Sequence, residues 1–293
     1  MDGERRSDIQ TDAPRAMRQD LPARGGSMAY YDYGPPDRPV DVVFSHANGF
    51  NARAYRSILL PLARDLRILA VDQRGHGRTD LPTPMEGRSD WNDLRGDLAA
   101  FLAALDVRDA VIAGHSIGSV ASLLTAPLVP GRAREVVLFD PVLGVAPRDG
   151  PNPMADGALR RRDAFSDHAA AMDAYRGRGP FKGWNDEMLA DYLEDGLRPN
   201  GEGGWRLSCA PAWEASNFAV PLYDPRPLLT QARVPVTIYR AGQHSSAKFD
   251  EADIAEWAIP GVAMITVPNT THFLPMQRPD VMQDALRDAA ARR

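Results

Sequence analysis

Gly114-His-Ser-Ile-Gly118 is the stretch on which the reading of this chain turns. An apolar run, Asp109-Ala-Val-Ile-Ala113, leads into it, and a small-residue run, Ser119-Val-Ala-Ser-Leu-Leu124, follows and reads as a helix. Strand, sharp turn and helix around G-x-S-x-G is the setting in which a serine hydroxyl is held up at the end of a sheet as a nucleophile. The turn forces unusual backbone angles on Ser116. A Cβ at either flanking glycine would collide with the neighbouring strand or helix. The bare pattern carries little weight alone; its flanks supply the rest.

Short apolar runs recur on both sides of this segment. Val40-Asp-Val-Val-Phe44 opens into Ser45-His-Ala-Asn-Gly-Phe50, Arg67-Ile-Leu-Ala-Val71 reads as a buried strand, and Glu135-Val-Val-Leu-Phe139 follows the serine's helix. Between them, Ala54 to Arg64 has apolar positions at helical spacing. Asp90 to Leu105 places Leu94, Leu98, Phe101, Leu102 and Leu105 on one helical face. All-apolar strands alternating with helices indicate a parallel sheet covered on both faces. The alternation breaks after Pro141 and resumes with Val234-Pro-Val-Thr-Ile-Tyr239, a helix near Asp250–Trp257, a strand at Val262–Val267 and a last helix from Pro279 to Arg293. The chain therefore divides into an α/β core over 28–143 and 234–293, interrupted by a mostly helical insertion over 144–233.

Residues 1–27 are polar, with no apolar stretch that would serve a secretory signal. The acidic Asp2, Glu4, Asp8, Asp12 and Asp20 do not fit a transit peptide, so a disordered tail and a cytoplasmic location are expected. A net charge of −5 argues against a nucleic-acid or anionic-membrane partner, and no segment has the length and apolarity of a membrane span. A small-molecule substrate is the expected partner; the oligomeric state is not readable. Cys209 is the only cysteine, so no intrachain disulfide forms, and a buried small hydrophobe is the expected role.

A serine nucleophile needs a base, nearly always histidine. Of the six histidines, His46 and His115 sit beside other motif elements, His76 lies in a turn, and His168 and His244 have no helpful company. His272, in Pro268-Asn-Thr-Thr-His-Phe-Leu-Pro275, follows the last strand, where a loop at the carboxyl edge of the sheet can return to the serine. The oxyanion of a tetrahedral intermediate needs preset donors. The backbone N–H of Ile117, at a helix start, is one candidate. The N–H of Asn48, in the loop after the Val40–Phe44 strand, is the other. The Asn48 side chain either reaches the pocket as well or simply forms an Asn-Gly turn.

With these pieces in order, the chain resembles the α/β-hydrolase superfamily over about residues 28–293. The resemblance is carried by His46-Ala-Asn-Gly49, Asp72-Gln-Arg-Gly-His-Gly-Arg-Thr-Asp80, Gly114-His-Ser-Ile-Gly118 and the late His272. It implies an eight-stranded, mostly parallel sheet, a cap inserted after the sixth strand and a Ser–His–acid triad. Ala47 stands where many members have glycine. Most relatives carry the acid after the seventh strand in a turn like G-x-x-D, which here reads Gly242-Gln-His-Ser245 and lacks the acid. Others carry it after the sixth strand, where this chain has Leu138-Phe-Asp-Pro-Val-Leu143. Asp140 is therefore the expected acid, with Asp250 and Asp253 as fallbacks. Asp72, Arg74, His76 and Asp80 are expected to be structural, and Asp93 and Asp97 a solvated or capping face.

The implied activity is a serine hydrolase acting on a small ester-type acyl compound through an acyl-enzyme, with Ser116, His272 and Asp140 as the triad and no metal or organic cofactor. A serine at this position disfavours the dehalogenases and epoxide hydrolases of the superfamily, whose relatives use aspartate. Lactonase, C–C bond hydrolase and aminopeptidase activities stay open, as does a non-catalytic small-ligand binder. The insertion's aromatics, densest over Trp205–Phe218, are expected mainly to pack the cap, and its arginines at 160–162, 176 and 178 to line a solvated helix face.

Overall fold

The computed structural model describes residues 13–144 and 152–292. Eight strands form the central sheet: β1 (Arg15–Leu21), β2 (Gly26–Tyr33), β3 (Val42–Ser45), β4 (Ile68–Val71), β5 (Ala110–His115), β6 (Ala133–Phe139), β7 (Val236–Ala241) and β8 (Val262–Val267). Their spatial order is β1-β2-β4-β3-β5-β6-β7-β8. β1 and β2 are antiparallel to their neighbours, and the other six run parallel. The strand pattern predicts a parallel sheet, and the eight-stranded, mostly parallel order is the one that the resemblance to the α/β-hydrolase superfamily implies.

The period of two along each strand sends alternate residues into two separate cores. Val42, Phe44, Val111, Ala113, Val137 and Phe139 face one, while Val43, Ala110, Ile112, Val136 and Leu138 face the other. Both cores exclude water, which is why these strands read as continuous apolar runs rather than alternating ones. On the first side lies the last helix (Pro279–Ala291); on the second lie α1 (Asn92–Ala104) and α2 (Ile117–Thr125). The stretch over 54–64 is a run of short helical turns, with one α-helical piece at Arg56–Leu59.

The amino-terminal reading needs correction. Residues 1–12 lie outside the described residues, but 15–27, expected as disordered tail, form β1, a turn and the start of β2, paired from Arg15↔Asp32 to Leu21↔Gly26. An edge strand is held by its backbone ladder and needs little apolar content, so a polar composition conceals it. Leu21 is its one buried residue, and Arg15 and Arg24 tie this segment to Asp32 and Asp97.

Between β6 and β7 the insertion forms α3 (Pro153–Leu159), α4 (His168–Tyr175), α5 (Asp186–Gly196), α6 (Pro211–Ala219) and α7 (Pro225–Gln231). It also holds a small antiparallel sheet of Ala164–Phe165, Trp205–Leu207 and Leu197–Pro199, which the sequence pattern did not announce because its strands are too short for a period. Leu229 and Ala232 enter the second main core, so the chain is back on the sheet before residue 234. No helix among the described residues is long and apolar enough to cross a membrane.

Candidate active site

β5 runs into Ser116, whose backbone sits at φ 59°, ψ −121°, and α2 starts at the next residue. A non-glycine residue holds positive φ only where its surroundings enforce it. Here Ser116 N–H donates to the Phe139 carbonyl at 3.0 Å, tying the elbow to β6. A Cβ on Gly114 would collide with the backbone of Gly118 and Ser119, and one on Gly118 with the carbonyl oxygens of Ser45 and His46. The two glycines thus let strand, helix and the loop after β3 close around the serine.

His272, in the loop after β8, places Nε2 2.9 Å from Ser116 Oγ and Nδ1 2.6 Å from Asp140 Oδ2. Asp140 directly follows β6, is wholly buried, and takes φ 44°. Its Oδ1 accepts from Ala241 N–H (2.8 Å) and Ser245 Oγ (2.6 Å), and its Oδ2 also accepts from Ser246 N–H (2.9 Å). Burial alone would raise the pKa of this carboxyl. The hydrogen bonds and charge of His272, with those of Ser245 and Ser246, outweigh it and hold Asp140 at about 2. Ser245, which occupies the acid's place in the other arrangement of the superfamily, is here a donor to Asp140. Ser246 Oγ lies 3.0 Å from His272 Nδ1. Sequence reasoning missed both serines' role; the missing acid at 245 was the available signal. Asp250 and Asp253 instead form a capping box at the start of α8 (Glu251–Trp257).

The N–H groups of Asn48 and Ile117 have no acceptor among the described residues, and both residues line the cavity that holds Ser116. The loop carrying Asn48 is braced by two buried histidines. His46 Nε2 accepts from Gln73 N–H at 2.9 Å, and His76 Nε2 accepts from Gly49 N–H at 3.0 Å. Their Nδ1 atoms donate to the carbonyls of Ala47 and Arg74. Burial pushes both rings well below the usual histidine range, His76 to about 4, so they stay neutral in this role. The Asn48 side chain is held by the cap. It donates to the Glu214 carbonyl (3.0 Å) and accepts from Asn217 (2.9 Å), fastening the loop to α6 of the cap.

Asp97, expected on a solvated face, is buried and accepts from both Arg24 and Arg74. Asp93 pairs with Arg88. Asp72 accepts from the backbone N–H of Ala52 and Arg78, and Asp80 from Ser27, which leaves both outside the site. Cys209 is buried, and desolvation pushes its thiol above the usual range.

Above Ser116 and His272 lies a cavity of about 650 Å³. Phe50, Trp91, Ile117, Val142 and Phe273 line it from the core side, and Met154, Tyr175, Phe181 and Phe218 from the cap. The cap also contributes two arginines. Arg161 is largely buried against Glu214 (2.9 Å) and the hydroxyls of Tyr192 and Tyr175. Arg178 is exposed and has no side-chain partner among the described residues. Arg161 departs from the solvated face expected for the cluster, whereas Arg178 is exposed as expected although it lines the cavity, and Arg176 pairs with Asp186 on an exposed surface. An apolar chamber closing on a hydroxyl, an imidazole and a carboxylate can move a proton from Oγ to Nε2 and hold the resulting imidazolium.

A family model described as the alpha/beta hydrolase family matches residues 42–285. The non-heme chloroperoxidase of Streptomyces lividans is 35% identical over 172 residues, 56% of this chain and 59% of that protein. The 2-(acetamidomethylene)succinate hydrolase of Mesorhizobium japonicum is 25% identical over 249 residues, 84% of this chain and 86% of that protein. A crystal structure of E-2-(acetamidomethylene)succinate hydrolase superposes with a TM-score of 0.73 at 24% identity, covering 94% of this chain and 98% of that one.

Proposed function

Since the chain belongs to the alpha/beta hydrolase family, we propose that it is a serine hydrolase that opens an ester-type acyl substrate through an acyl-enzyme on Ser116. The observation that carries this is the unbroken line of hydrogen bonds from Ser116 Oγ through His272 to Asp140. His272 Nε2 takes the hydroxyl proton as Oγ attacks the acyl carbon. The oxyanion that forms is received by the N–H groups of Asn48 and Ile117, which have no other acceptor among the described residues. Collapse expels the alcohol, which takes the proton from Nε2. Water, deprotonated by the same nitrogen, then attacks the acyl-enzyme and releases the acid. Asp140 holds Nδ1–H and faces the imidazolium with its charge throughout.

The cavity's apolar lining favours a substrate with a largely hydrophobic body, larger than an acetyl group. A fluorophosphonate probe tests the nucleophile. Stoichiometric labelling of Ser116, lost in Ser116→Ala and His272→Ala, supports the reading; an unlabelled, folded protein points to a non-catalytic binder. A panel of p-nitrophenyl esters of increasing chain length then measures the acyl preference.

One observation favours a second reading of the substrate. Arg178 faces the cavity without an acidic partner among the described residues, and the relative from Mesorhizobium japonicum is named for a succinate derivative. A substrate bearing a carboxylate would meet that charge. A higher kcat/KM for a carboxylate-bearing ester than for its neutral isostere, lost in Arg178→Gln, supports it.

A further inference from the structure

Behind the serine, away from the cavity, a second line of hydrogen bonds runs through residues that the proposed reaction does not use. His115, immediately before Ser116, and Tyr55 are both fully buried. Ala47 N–H donates to Tyr55 Oη (3.2 Å), Tyr55 Oη lies 2.6 Å from His115 Nδ1, and His115 Nε2 lies 2.7 Å from the carbonyl oxygen of His272. Only one proton assignment satisfies every atom. The Ala47 amide can only donate, so the tyrosine oxygen accepts from it and sends its own proton to Nδ1. The one proton of a neutral His115 then sits on Nε2, and the His272 carbonyl can only accept it. Burial, with the neighbouring His272 second, holds the His115 ring at about 3, so it is neutral under ordinary conditions.

The ends of this chain matter. Ala47 is the residue before Asn48, whose N–H is one proposed oxyanion donor. His272 is the proposed base, and His115 is covalently next to the nucleophile. A tyrosine hydroxyl and an imidazole at the centre of an apolar core cost more desolvation than apolar side chains of equal volume, so filling space does not account for them. What they add is direction. Asp140 holds the His272 ring by Nδ1, and His115 holds the same residue by its backbone, which fixes the base at two points.

Resting on the hydrolase reading above, we propose that Tyr55 and His115 are positioning residues, a buried brace that sets the oxyanion loop, the nucleophile and the base at their mutual distances. Displacing a reacting group by about 1 Å costs up to about 100-fold in rate, and the brace acts on three such groups at once.

The test uses the full chain and three variants. Tyr55→Phe removes one oxygen and keeps the ring; His115→Leu removes both polar atoms. His115→Gln restores an acceptor and a donor spaced like the two ring nitrogens. Expected are a fall in kcat of about 10-fold for Tyr55→Phe and about 100-fold for His115→Leu, with KM within about twofold. His115→Gln recovers most of the loss. Fluorophosphonate labelling of Ser116 slows in the same order. Wild-type kcat in folded Tyr55→Phe and His115→Leu overturns the brace. So does a lowered Tm with Gln no better than Leu, since that is a packing defect alone. If His115→Leu does not fold, Tyr55→Phe and His115→Gln decide. If wild-type protein neither labels nor cleaves esters, the hydrolase reading has failed separately. The brace is then read from the downfield proton resonance of the His272–Asp140 hydrogen bond. Tyr55→Phe moves or broadens that resonance if the brace holds His272, and an unchanged resonance overturns it.

Discussion

Asp140→Asn is the substitution whose consequences the geometry defines most fully. The carboxylate accepts four hydrogen bonds, two on each oxygen, and three of its donors are nitrogens. An asparagine keeps one acceptor and introduces a donor. If its NH₂ replaces Oδ2, it meets the Ser246 N–H and forces His272 Nδ1 to accept. The ring proton then sits on Nε2, which can no longer take the proton of Ser116. If the NH₂ replaces Oδ1, it meets the Ala241 N–H. Ser245 can turn to accept, and His272 keeps its tautomer but loses the facing negative charge. Either orientation buries an unpaired backbone donor, a cost of about 1–3 kcal/mol in stability. Either also removes the group that stabilises the imidazolium, for which the expected loss is about 10⁴-fold in kcat, or about 5 kcal/mol in the barrier. The assay is p-nitrophenyl ester hydrolysis under saturating substrate, with urea unfolding to measure the stability change. A folded Asp140→Asn protein with kcat within tenfold of wild type would refute the assignment of Asp140 as the acid.

Three further outcomes are expected. Gly118→Ala drives a Cβ into the Ser45 and His46 carbonyls, where neither backbone can yield without moving the oxyanion loop; a loss of more than about 2 kcal/mol in unfolding free energy is expected, and unchanged stability contradicts the packing. Acid lability should set in below neutrality. His46, His76 and His115 have folded pKa values depressed by burial below an unfolded value of about 6.5, so the unfolded chain takes three protons that the native one refuses as pH falls toward 5. Asp72, raised to about 7 by burial and then by Asp195, works the other way, because the native state keeps a proton the unfolded state has released. Two net protons leave a slope of about 3 kcal/mol per pH unit between roughly pH 5 and 6, with stability falling on acidification; urea midpoints that stay flat across that window contradict it. Compared with removal of residues 1–12, removal of 1–25 also deletes β1 and the Arg24–Asp97 ion pair, and should lower Tm by several further degrees; an equal Tm for the two truncations contradicts it.

The parts of this molecule legible in its sequence are those written within a few residues of a strand end. Ser116 and Asp140 directly follow a buried strand, Ile117 lies two residues past β5, Asn48 three past β3 and His272 five past β8. A parallel sheet brings those ends to one edge without further information. What escaped is of two kinds. β1 is held by backbone pairing and carries no apolar signature. The remaining features join residues that only the topology brings together. They include Asp97 with Arg24 and Arg74, Asn48 with Glu214 and Asn217, Arg161 with Glu214, and Tyr55 with His115 and His272. No local pattern predicts such a meeting, and a charge that ends buried and paired looks identical in sequence to one that ends in water.

The serine at position 245 shows how one such meeting constrains the chemistry. Its Oγ lies 2.6 Å from Asp140 Oδ1, so the two positions the superfamily uses for its acid converge on one spot beside His272. Two carboxylates there would repel at hydrogen-bond distance, and one would have to hold a proton to coexist. With a hydroxyl at 245, the same contact becomes a donor that, with Ala241 and Ser246, favours the ionised form of Asp140 despite complete burial. The absent acid after β7 is thus the complement of the acid after β6. Ser245 is one of the three donors besides His272 that keep the remaining carboxylate charged, which is the state that the proposed acyl-enzyme reaction needs opposite an imidazolium.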